Sequence, residues 1–479
     1  MKTYKFLALA AAAMLSLNAC DMELVPKGAT TLDSAEELEY MLNTANYSQS
    51  FPFTNITIIA NESYGNDYST NVPGKIAHKN TLYSAYLAFD ESIDRAALTP
   101  SDRFYTDTYK LIFGLNVVIG KIPGSNGTTD LKQRIIAEAR IERAYYHFLI
   151  ANIYAAQYDP ATASANGGIA YVTDYNNELQ KTQLSLDKVY ELMLQDLDDS
   201  FIERLPETSN VVRLNKYSGY AIKARVLFQM KNYPEALKYA LKALEGNSNI
   251  EDRSYILDTH RWILKADAPN NFWYISPQSS MSQVNYSQLT LETLAKVEEG
   301  DLTFDHAYRN GKVSPGNEAF SLTSGQSDSG IPGCRELATY DVQTNCWGLT
   351  VERIMYIAAE SYIRGNEIQK GLDLINKVRK YRIHPDNYSD FTASSVKEAM
   401  TLLQKAKFIE NLSTYENFFD LKRWNSEDEY KQTITRSFPV KNGETTTTAT
   451  YTLSPDSPLW IFPFPSNVLQ YNCSFSQNY

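Results

Sequence analysis

Cysteine and histidine are scarce in this chain, which limits the kinds of site it can form. The 479 residues include only 4 Cys and 5 His. No CxxC pair occurs, and no two histidines stand four residues apart, so both a zinc-finger pattern and a helical pair of metal-binding histidines are absent. Phosphate-binding glycine loops and calcium-binding loops are also absent. The sequence therefore predicts no metal site and no cofactor.

Excess positive charge and long apolar segments are lacking too. The chain carries 45 Lys and Arg against 56 Asp and Glu, a net charge of −11, which excludes the basic footprint that nucleic-acid binding requires. Residues 6–15 form an unbroken apolar run, but a membrane-spanning helix needs about 20 such residues. We therefore expect no nucleic-acid partner and no transmembrane helix.

The first twenty residues have the pattern of an export signal. Lys2 and Lys5 precede the apolar run, which is typical of a signal peptide. The run is followed by Leu17-Asn18-Ala19-Cys20, which resembles the bacterial lipobox, where the cysteine is lipidated and becomes the mature N-terminus. The alternative is an ordinary cleavage site beside an unrelated cysteine. We expect a signal peptide over residues 1–19, lipidation of Cys20, and a polar tether over residues 20–33. Removal of residues 1–19 changes the net charge to −13.

Besides the lipidated Cys20, the mature chain contains three cysteines. An envelope compartment permits disulfides, and a Cys334–Cys346 bridge would close a loop of about a dozen residues. A Cys334–Cys346 disulfide and two free thiols stay open as alternatives. Because the count is odd, at least one of Cys334, Cys346 and Cys473 forms no disulfide with the others.

Helical periodicity dominates two parts of the chain. The predicted helices cover residues 34–43, 102–122, 131–154, 185–201, 217–230, 234–244, 351–364, 367–381, 394–412 and 414–422. The pair that contains Ala236, Ala240 and Ala243 resembles half of a tetratricopeptide (TPR) repeat, because small residues let two helices approach closely. A second pair surrounds the turn Gly365-Asn366. These features predict a mainly α protein.

Less regular segments carry the candidate ligand-binding residues. The sequence predicts loops with short helices over 47–100, an insertion without strong elements over 246–349, and loops with a short strand pair over 445–479. With 34 Tyr, 20 Phe and 5 Trp, the chain is rich in rings that stack on sugars. The alternative is that loop rings cover the core. The ligand-binding candidates are Asn66, Asp67, Tyr83, Tyr86, Trp273, Tyr274 and Tyr286.

Catalytic signals are weak. The serine-rich loop at 326–330 lacks the strand–Ser–helix context of a hydrolase nucleophile. His147 is expected to be a packed structural residue, and Asp196, Asp198 and Asp199 are expected on a solvated helix face. Two facing carboxylates of a glycoside hydrolase stay open as an alternative, because the chain has 56 acidic residues. We expect a binding protein and no enzyme.

Several separated motifs resemble the SusD/RagB family of surface lipoproteins of Bacteroidota. Besides the lipobox at Cys20, the matching segments are AEAR at 137–140 with RAYYHF at 143–148, YAIKARV at 220–226, RIMYIAAE at 353–360, LINKVR at 374–379, FFDLKRW at 418–424 and WIFPFP at 460–465. One departure is that the Trp that often opens the family's first long helix is replaced near Phe104 and Tyr105.

The resemblance implies a fold, a function and a partner. The fold is mainly α, SusD-like, with four TPR-like helical hairpins and a loop-rich ligand-binding face. A single domain would cover 34–479, with hairpins within about 102–245 and 351–424 and a loop-rich insertion at about 246–349.

Such a protein is a non-catalytic, cell-surface glycan-binding lipoprotein, held in the outer membrane by its lipid anchor. It captures oligo- or polysaccharide and delivers it to a SusC-like TonB-dependent outer-membrane transporter. The alternatives are a peptide-binding lid of a RagAB-like peptide importer and, less favoured, an all-α glycoside hydrolase.

Overall fold

The computed structural model describes residues 32–43, 46–47, 53–65, 72–77, 80–254, 266–277, 287–304, 321–324, 330–338, 345–442, 445–472 and 474–479. The predicted signal peptide, the lipidation site Cys20 and Cys473 lie outside the described residues. Among the described residues, no helix is both long enough and apolar enough to span a membrane.

Helices account for most of the regular structure. In chain order they are α1 (Ala35–Tyr40), α2 (Phe53–Ile59), α3 (Val72–Ala77), α4 (Leu82–Leu87), α5 (Arg103–Lys121), α6 (Thr129–Tyr154), α7 (Leu186–Asp196), α8 (Asp199–Ile202), α9 (Lys216–Gln229), α10 (Tyr233–Gly246), α11 (Leu291–Leu294), α12 (Val351–Arg364), α13 (Ile368–Lys380), α14 (Val396–Glu410), α15 (Glu416–Asn425) and α16 (Ser466–Tyr471). The long helices confirm the predicted ones to within a few residues.

Strands are short and lie mainly in the insertion and near the C-terminus. They are β1 (Asn46–Tyr47), β2 (Asn271–Trp273), β3 (Ser276–Pro277), β4 (Ser287–Leu289), β5 (Ser321–Ser324), β6 (Arg335–Ala338), β7 (Leu349–Thr350), β8 (Ile434–Asn442) and β9 (Thr445–Leu453). β4, β6 and β5 form an antiparallel sheet in that order. β8 and β9 form an antiparallel hairpin, so the strand pair predicted within 445–479 is wrong in one respect: β9 pairs with β8, which precedes that segment.

Side-chain caps decide where several helices begin. The Asp102 carboxylate accepts the backbone N–H of Phe104 at 2.8 Å and so starts α5. The single helix predicted over 185–201 is wrong, because Asp198 adopts an extended backbone and caps α8 through the N–H of Ser200 at 2.9 Å. α7 therefore ends at Asp196, and a second short helix follows.

Two helical hairpins pack closely because small residues face the partner helix. Ala236 and Ala240 of α10 are completely buried where this helix packs on α9. In the second hairpin, a Cβ on Gly371 of α13 would lie 2.5 Å from Cγ1 of Ile363 in α12. The turn between α12 and α13 places Asn366 at φ 63°, a left-handed conformation that Asn tolerates. The packing agrees with the TPR-like resemblance, and the number of such hairpins stays a prediction.

A buried ion network joins α12, α14 and α15. The Arg423 guanidinium donates to the Glu360 carboxylate at 2.7 and 2.9 Å and to Asp420 at 3.0 Å. Lys407 lies 2.7 Å from Asp420, and Trp424 Nε1–H donates to Glu360 at 3.0 Å. Burial alone would raise the pKa of Glu360, but the cations around it, Arg423 first, lower the pKa below its usual value. The network accounts for Asp420 and Arg423 of the FFDLKRW motif, whereas Lys422 donates to the carbonyls of Asn152 and Ala155 at 2.6 and 2.8 Å.

Cys334 and Cys346 are two separate buried thiols, and no disulfide joins them. The Cys334 sulfur lies 3.6 Å from the carbonyl oxygen of Leu289, so this thiol packs against the β4–β6 sheet. The unbonded alternative is the one that the structure contains.

Candidate functional site

Three of the seven predicted ligand-binding residues, Asn66, Asp67 and Tyr286, lie outside the described residues. Their participation in a site stays a prediction.

Two predicted rings are buried in the core and not exposed in a surface loop. Trp273 is 1% exposed; its ring lies 5.2 Å from that of Tyr145 and its indole N–H donates to the carbonyl of Val212 at 3.3 Å. Tyr86 is 1% exposed and stacks on Phe462 with centroids 5.1 Å apart. The expectation that these two rings lie on an open surface is wrong.

The remaining two predicted rings also face inward. Tyr274 is buried, and its backbone N–H donates to the carbonyl of Val211 at 2.8 Å. Tyr83 is half-buried and its hydroxyl donates to the carbonyl of Tyr64 at 2.6 Å. The physical reason for the inward placement near Trp273 is strand pairing: β2 pairs with β7, which leads directly into α12 and draws this segment against the helices.

A cleft of about 550 Å³ lies elsewhere, and we name it the aromatic cleft. Its three walls are α5 with Tyr105, Tyr109 and Phe113, the loop of residues 170–181, and the C-terminal segment 468–475. None of the four predicted residues that the structure describes lines it.

Aromatic rings cover one side of the aromatic cleft. Tyr105, Tyr109 and Phe113 stand four residues apart, so they share one face of α5. The rings of Tyr105 and Tyr109 are 4.8 Å apart and tilted by 51°. Phe113 is 36% exposed and Tyr471 of the C-terminal wall is 71% exposed. The inner rings are thus packed, while the outer rings present apolar faces to solvent.

Polar groups cover the opposite side of the aromatic cleft. The Lys181 ammonium donates to the Asp174 carboxylate at 2.6 Å, and this hydrogen bond is the main reason that the pKa of Asp174 is lowered. The Lys181 backbone N–H donates to the side chain of Asn472 at 3.3 Å, and the Gln180 amide donates to the carbonyl of Tyr471 at 3.4 Å. These contacts join the loop wall to the C-terminal wall.

A buried polar network holds Tyr171 and Val172, at the start of the loop wall, against the helices. Arg143 of α6 donates two hydrogen bonds of 2.8 Å to Asp196, which also accepts the Tyr171 hydroxyl at 2.7 Å. The His147 ring stacks on Tyr171 at 3.9 Å, and its Nε2 accepts the backbone N–H of Val172 at 3.0 Å. Burial, and then the Arg143 charge, lowers the pKa of His147 to about 3, so this imidazole is neutral. His147 is packed as predicted, whereas the prediction of a solvated Asp196 is wrong because Arg143 binds it.

The next part of the loop is held against α5. The Asn116 amide donates to the carbonyls of Val172 at 2.9 Å and of Asp174 at 3.1 Å. The Tyr175 ring lies directly over Gly120, where a Cβ would approach the ring carbon Cε1 to 2.3 Å. The first part of the loop wall is therefore bound to α5, and a side chain at position 120 would displace the Tyr175 ring.

Sequence reasoning missed the aromatic cleft although part of its signal is visible. The four-residue spacing of Tyr105, Tyr109 and Phe113 can be read from the chain within the predicted helix 102–122. An aromatic stripe at helical spacing is usually core, however, and only the tertiary structure shows that Phe113 extends beyond the covering loop.

Two family models match separate parts of the chain. Residues 30–228 match a SusD-like family described as starch-binding and associating with the outer membrane. Residues 354–479 match the SusD family, and this match contains the LINKVR and FFDLKRW motifs. A search of curated proteins finds no significant match.

Solved structures of the SusD superfamily share the fold over nearly the whole chain. A SusD superfamily protein from Bacteroides thetaiotaomicron is 14% identical, with a TM-score of 0.64 over 93% of this chain and 100% of the other. A SusD-like carbohydrate binding protein from Bacteroides vulgatus is 15% identical, with a TM-score of 0.65 over 93% and 98%. A SusD-like protein from Bacteroides fragilis is 16% identical, with a TM-score of 0.65 over 95% and 99%. These similarities establish the SusD fold.

The two kinds of comparison agree with the motifs along the chain. One family model covers most of the N-terminal half and the other covers the C-terminal quarter, while the structural matches also include the insertion between them. The chain belongs to the SusD/RagB family.

Proposed function

We propose that the protein is a non-catalytic glycan-binding lipoprotein of the outer-membrane surface, which captures oligo- or polysaccharide for a SusC-like TonB-dependent transporter. The observation that carries the proposal is the aromatic cleft, where exposed rings face a polar wall. Sugar rings have apolar faces that pack on aromatic side chains and hydroxyl groups that both donate and accept hydrogen bonds. A ligand of this chemistry matches both sides of the cleft.

Family membership supports the glycan class and the location. One matching family is described as starch-binding and associating with the outer membrane, and one structural relative is named a carbohydrate binding protein. The export signal over 1–19, the lipidated Cys20, the tether over 20–33 and one domain over 34–479 complete the proposed organisation. Lipid anchoring places such a domain at a membrane surface without a spanning helix.

Two carboxylates, those of Asp174 and Glu178, line the aromatic cleft, and the state of Asp174 supports binding without hydrolysis. A glycoside hydrolase needs a general acid whose pKa is raised, opposite a second carboxylate. Asp174 has the reverse property, because its hydrogen bond from Lys181 lowers its pKa. At neutral pH this carboxylate is ionised and can accept hydrogen bonds from hydroxyl groups, but it cannot protonate a leaving group.

Affinity electrophoresis tests the proposal directly. Soluble protein that begins at residue 21 is run through gels containing starch, inulin, xylan, mannan or host glycans, and peptides are added as competitors. We expect retardation by at least one glycan without release of reducing ends. Each exposed ring contributes about 1 kcal/mol, so Phe113→Ala and Tyr471→Ala should each weaken binding about fivefold.

Tyr40→Ala is the matched control, because Tyr40 is 73% exposed, as Tyr471 is at 71%, and does not line the cleft. Equal loss of binding in this control and in Tyr471→Ala would contradict the assignment of the site. Competition by peptides alone would replace the glycan class with the peptide alternative, and release of reducing ends would replace binding with hydrolysis.

A further inference from the structure

A second hollow of about 420 Å³ lies between the segment after α2, the α11 region, α14, α15 and the start of β8. We name it the Asn61 pocket. Its lining includes Asn61, Glu292, Lys296, Gln404, Phe408 and Trp424. The volume is within the range of small-molecule sites.

The Asn61 pocket contains polar atoms that the protein leaves unsatisfied. Within the described part of the chain, Asn61 Oδ1, Glu292 Oε2 and Gln404 Nε2 are buried and make no hydrogen bond. The whole of Asn61 is only 8% exposed. A buried polar atom without a partner costs about 1–3 kcal/mol, and native proteins contain few of them. Three such atoms around one hollow have no partner within the protein, so an occupant of the hollow can supply their hydrogen bonds.

The backbone holds Asn61 in this position. Asn61 has φ 58°, a left-handed conformation that Asn tolerates better than most residues. Its carbonyl oxygen accepts the hydroxyls of Thr290 at 2.7 Å and of Thr293 at 2.9 Å. The same segment that carries Glu292 is therefore bonded to Asn61, and the two side-chain acceptors keep a fixed relation.

The remaining walls restrict the chemistry of the occupant. The Lys296 ammonium lies 4.8 Å from the centre of the Phe408 ring and donates to the Glu292 carbonyl at 3.2 Å. An ammonium and the Gln404 amide hydrogens disfavour a metal cation, whereas the Glu292 carboxylate disfavours a simple anion. Two unsatisfied acceptors and one unsatisfied donor need a ligand that donates and accepts, and hydroxyl groups do both.

We propose that the Asn61 pocket binds a small neutral polyhydroxylated ligand, a single sugar unit or a polyol. Hydroxyl groups of the ligand donate to Asn61 Oδ1 and Glu292 Oε2 and accept from Gln404 Nε2, while an apolar face of the ligand contacts Phe408. This site is independent of the aromatic cleft, and it does not require that the cleft bind a polysaccharide.

Saturation-transfer-difference NMR tests the site on the purified protein. The probes are free neutral hexoses, pentoses, N-acetylhexosamines and hexitols, each added alone. We expect at least one probe to bind, and we expect Gln404→Leu and Asn61→Gly each to weaken its binding about fivefold, the effect of one lost hydrogen bond. Glycine at position 61 keeps the left-handed backbone while it removes the amide oxygen.

Two controls separate this proposal from that of the aromatic cleft. Gln195→Leu changes an exposed helical glutamine that lines neither hollow, and Phe113→Ala changes only the cleft. Both variants should keep the probe signal, while Phe113→Ala weakens polysaccharide retardation. If Asn61→Gly does not fold, as judged by circular dichroism, Gln404→Leu alone decides. Absence of any probe signal, or a signal that Gln404→Leu leaves unchanged, would overturn the proposal.

Discussion

Replacement of Trp273 and of Phe113 by alanine should separate a core ring from a ligand-binding ring. Trp273 was a ligand-binding candidate from the sequence, but its side chain is 1% exposed, whereas Phe113 is 36% exposed in the aromatic cleft. We expect Trp273→Ala to lower the free energy of unfolding and Phe113→Ala to lower the affinity for glycan. Folded Trp273→Ala should keep the glycan affinity of the unmodified protein, and Phe113→Ala should keep nearly the same free energy of unfolding.

The size of each effect follows from the contacts. The Trp273 indole packs against Tyr145 and Tyr146, with ring centroids 5.2 and 6.1 Å away. Removal of a buried Trp side chain leaves a cavity and costs about 3–5 kcal/mol. The hydrogen bond from its indole N–H adds little, because its acceptor, the carbonyl of Val212, belongs to a half-exposed residue that water can reach. Loss of the partly exposed Phe113 ring should change stability by about 0.5 kcal/mol.

Urea unfolding followed by circular dichroism measures the first effect, and calorimetric titration with the glycan identified by electrophoresis measures the second. The binding assay for Trp273→Ala is performed at a temperature where that variant is folded. If Trp273→Ala unfolds at the urea concentration of the unmodified protein and binds glycan more weakly, the indole contacts ligand in solution. That result would refute the reasoning from burial.

Two further predictions concern buried carboxylates. Glu360→Gln should lower the free energy of unfolding by about 3–5 kcal/mol, because Arg423 and Arg364 would lose their shared buried carboxylate. Urea unfolding measures this loss. A loss of about 1 kcal/mol or less, as for a surface ion pair, would contradict the expectation. Burial raises the pKa of Glu62 from 4.5 to about 8 although the backbone N–H of Ser413 opposes the shift. Because the folded state binds this proton more tightly, its contribution to stability is complete below pH 4.5 and is lost as the pH rises towards 8. Glu62→Gln should reduce the loss of unfolding free energy between pH 4.5 and 8. Equal slopes of unfolding free energy against pH in the variant and the unmodified protein would refute the prediction.

Local sequence signals were sufficient for most of the helices. α5 begins one residue after the predicted start at Asp102, and α12 has the predicted bounds. The failures occurred where a distant contact decides the outcome. The interruption between α7 and α8 leaves Asp196 at the end of α7, where Arg143 of α6 binds it. The acidic run on an amphipathic helix predicted a solvated carboxylate at this position. The prediction failed because the partner of Asp196 lies 53 residues away, where a local pattern does not show it.

The candidate site was less predictable than the fold for a related reason. Composition favours ring-based recognition, which stays a prediction, but composition does not show which rings the fold covers. The sequence predicts mostly irregular structure around Trp273 and Tyr86, but Trp273 belongs to β2 and Tyr86 to α4. Strand pairing and stacking on Phe462 bury these two rings. Phe113 lies in a regular helix and is exposed, because the covering loop and the C-terminal segment leave that end of the stripe open. A lack of helical periodicity in the sequence was therefore a poor guide to exposure in this protein.

The construction of the aromatic cleft favours binding of large, weakly interacting ligands. The first part of its loop wall is already bonded to α5 through Asn116 and to α6 through His147, so a ligand does not have to order that part. Ordering costs commonly cancel much of the energy that contacts supply, and a pre-formed site avoids them. A few rings worth about 1 kcal/mol each can then give useful affinity for a polymer that offers many equivalent sugar units. The weak contribution of each ring also allows release, which the proposed capture for a transporter would require.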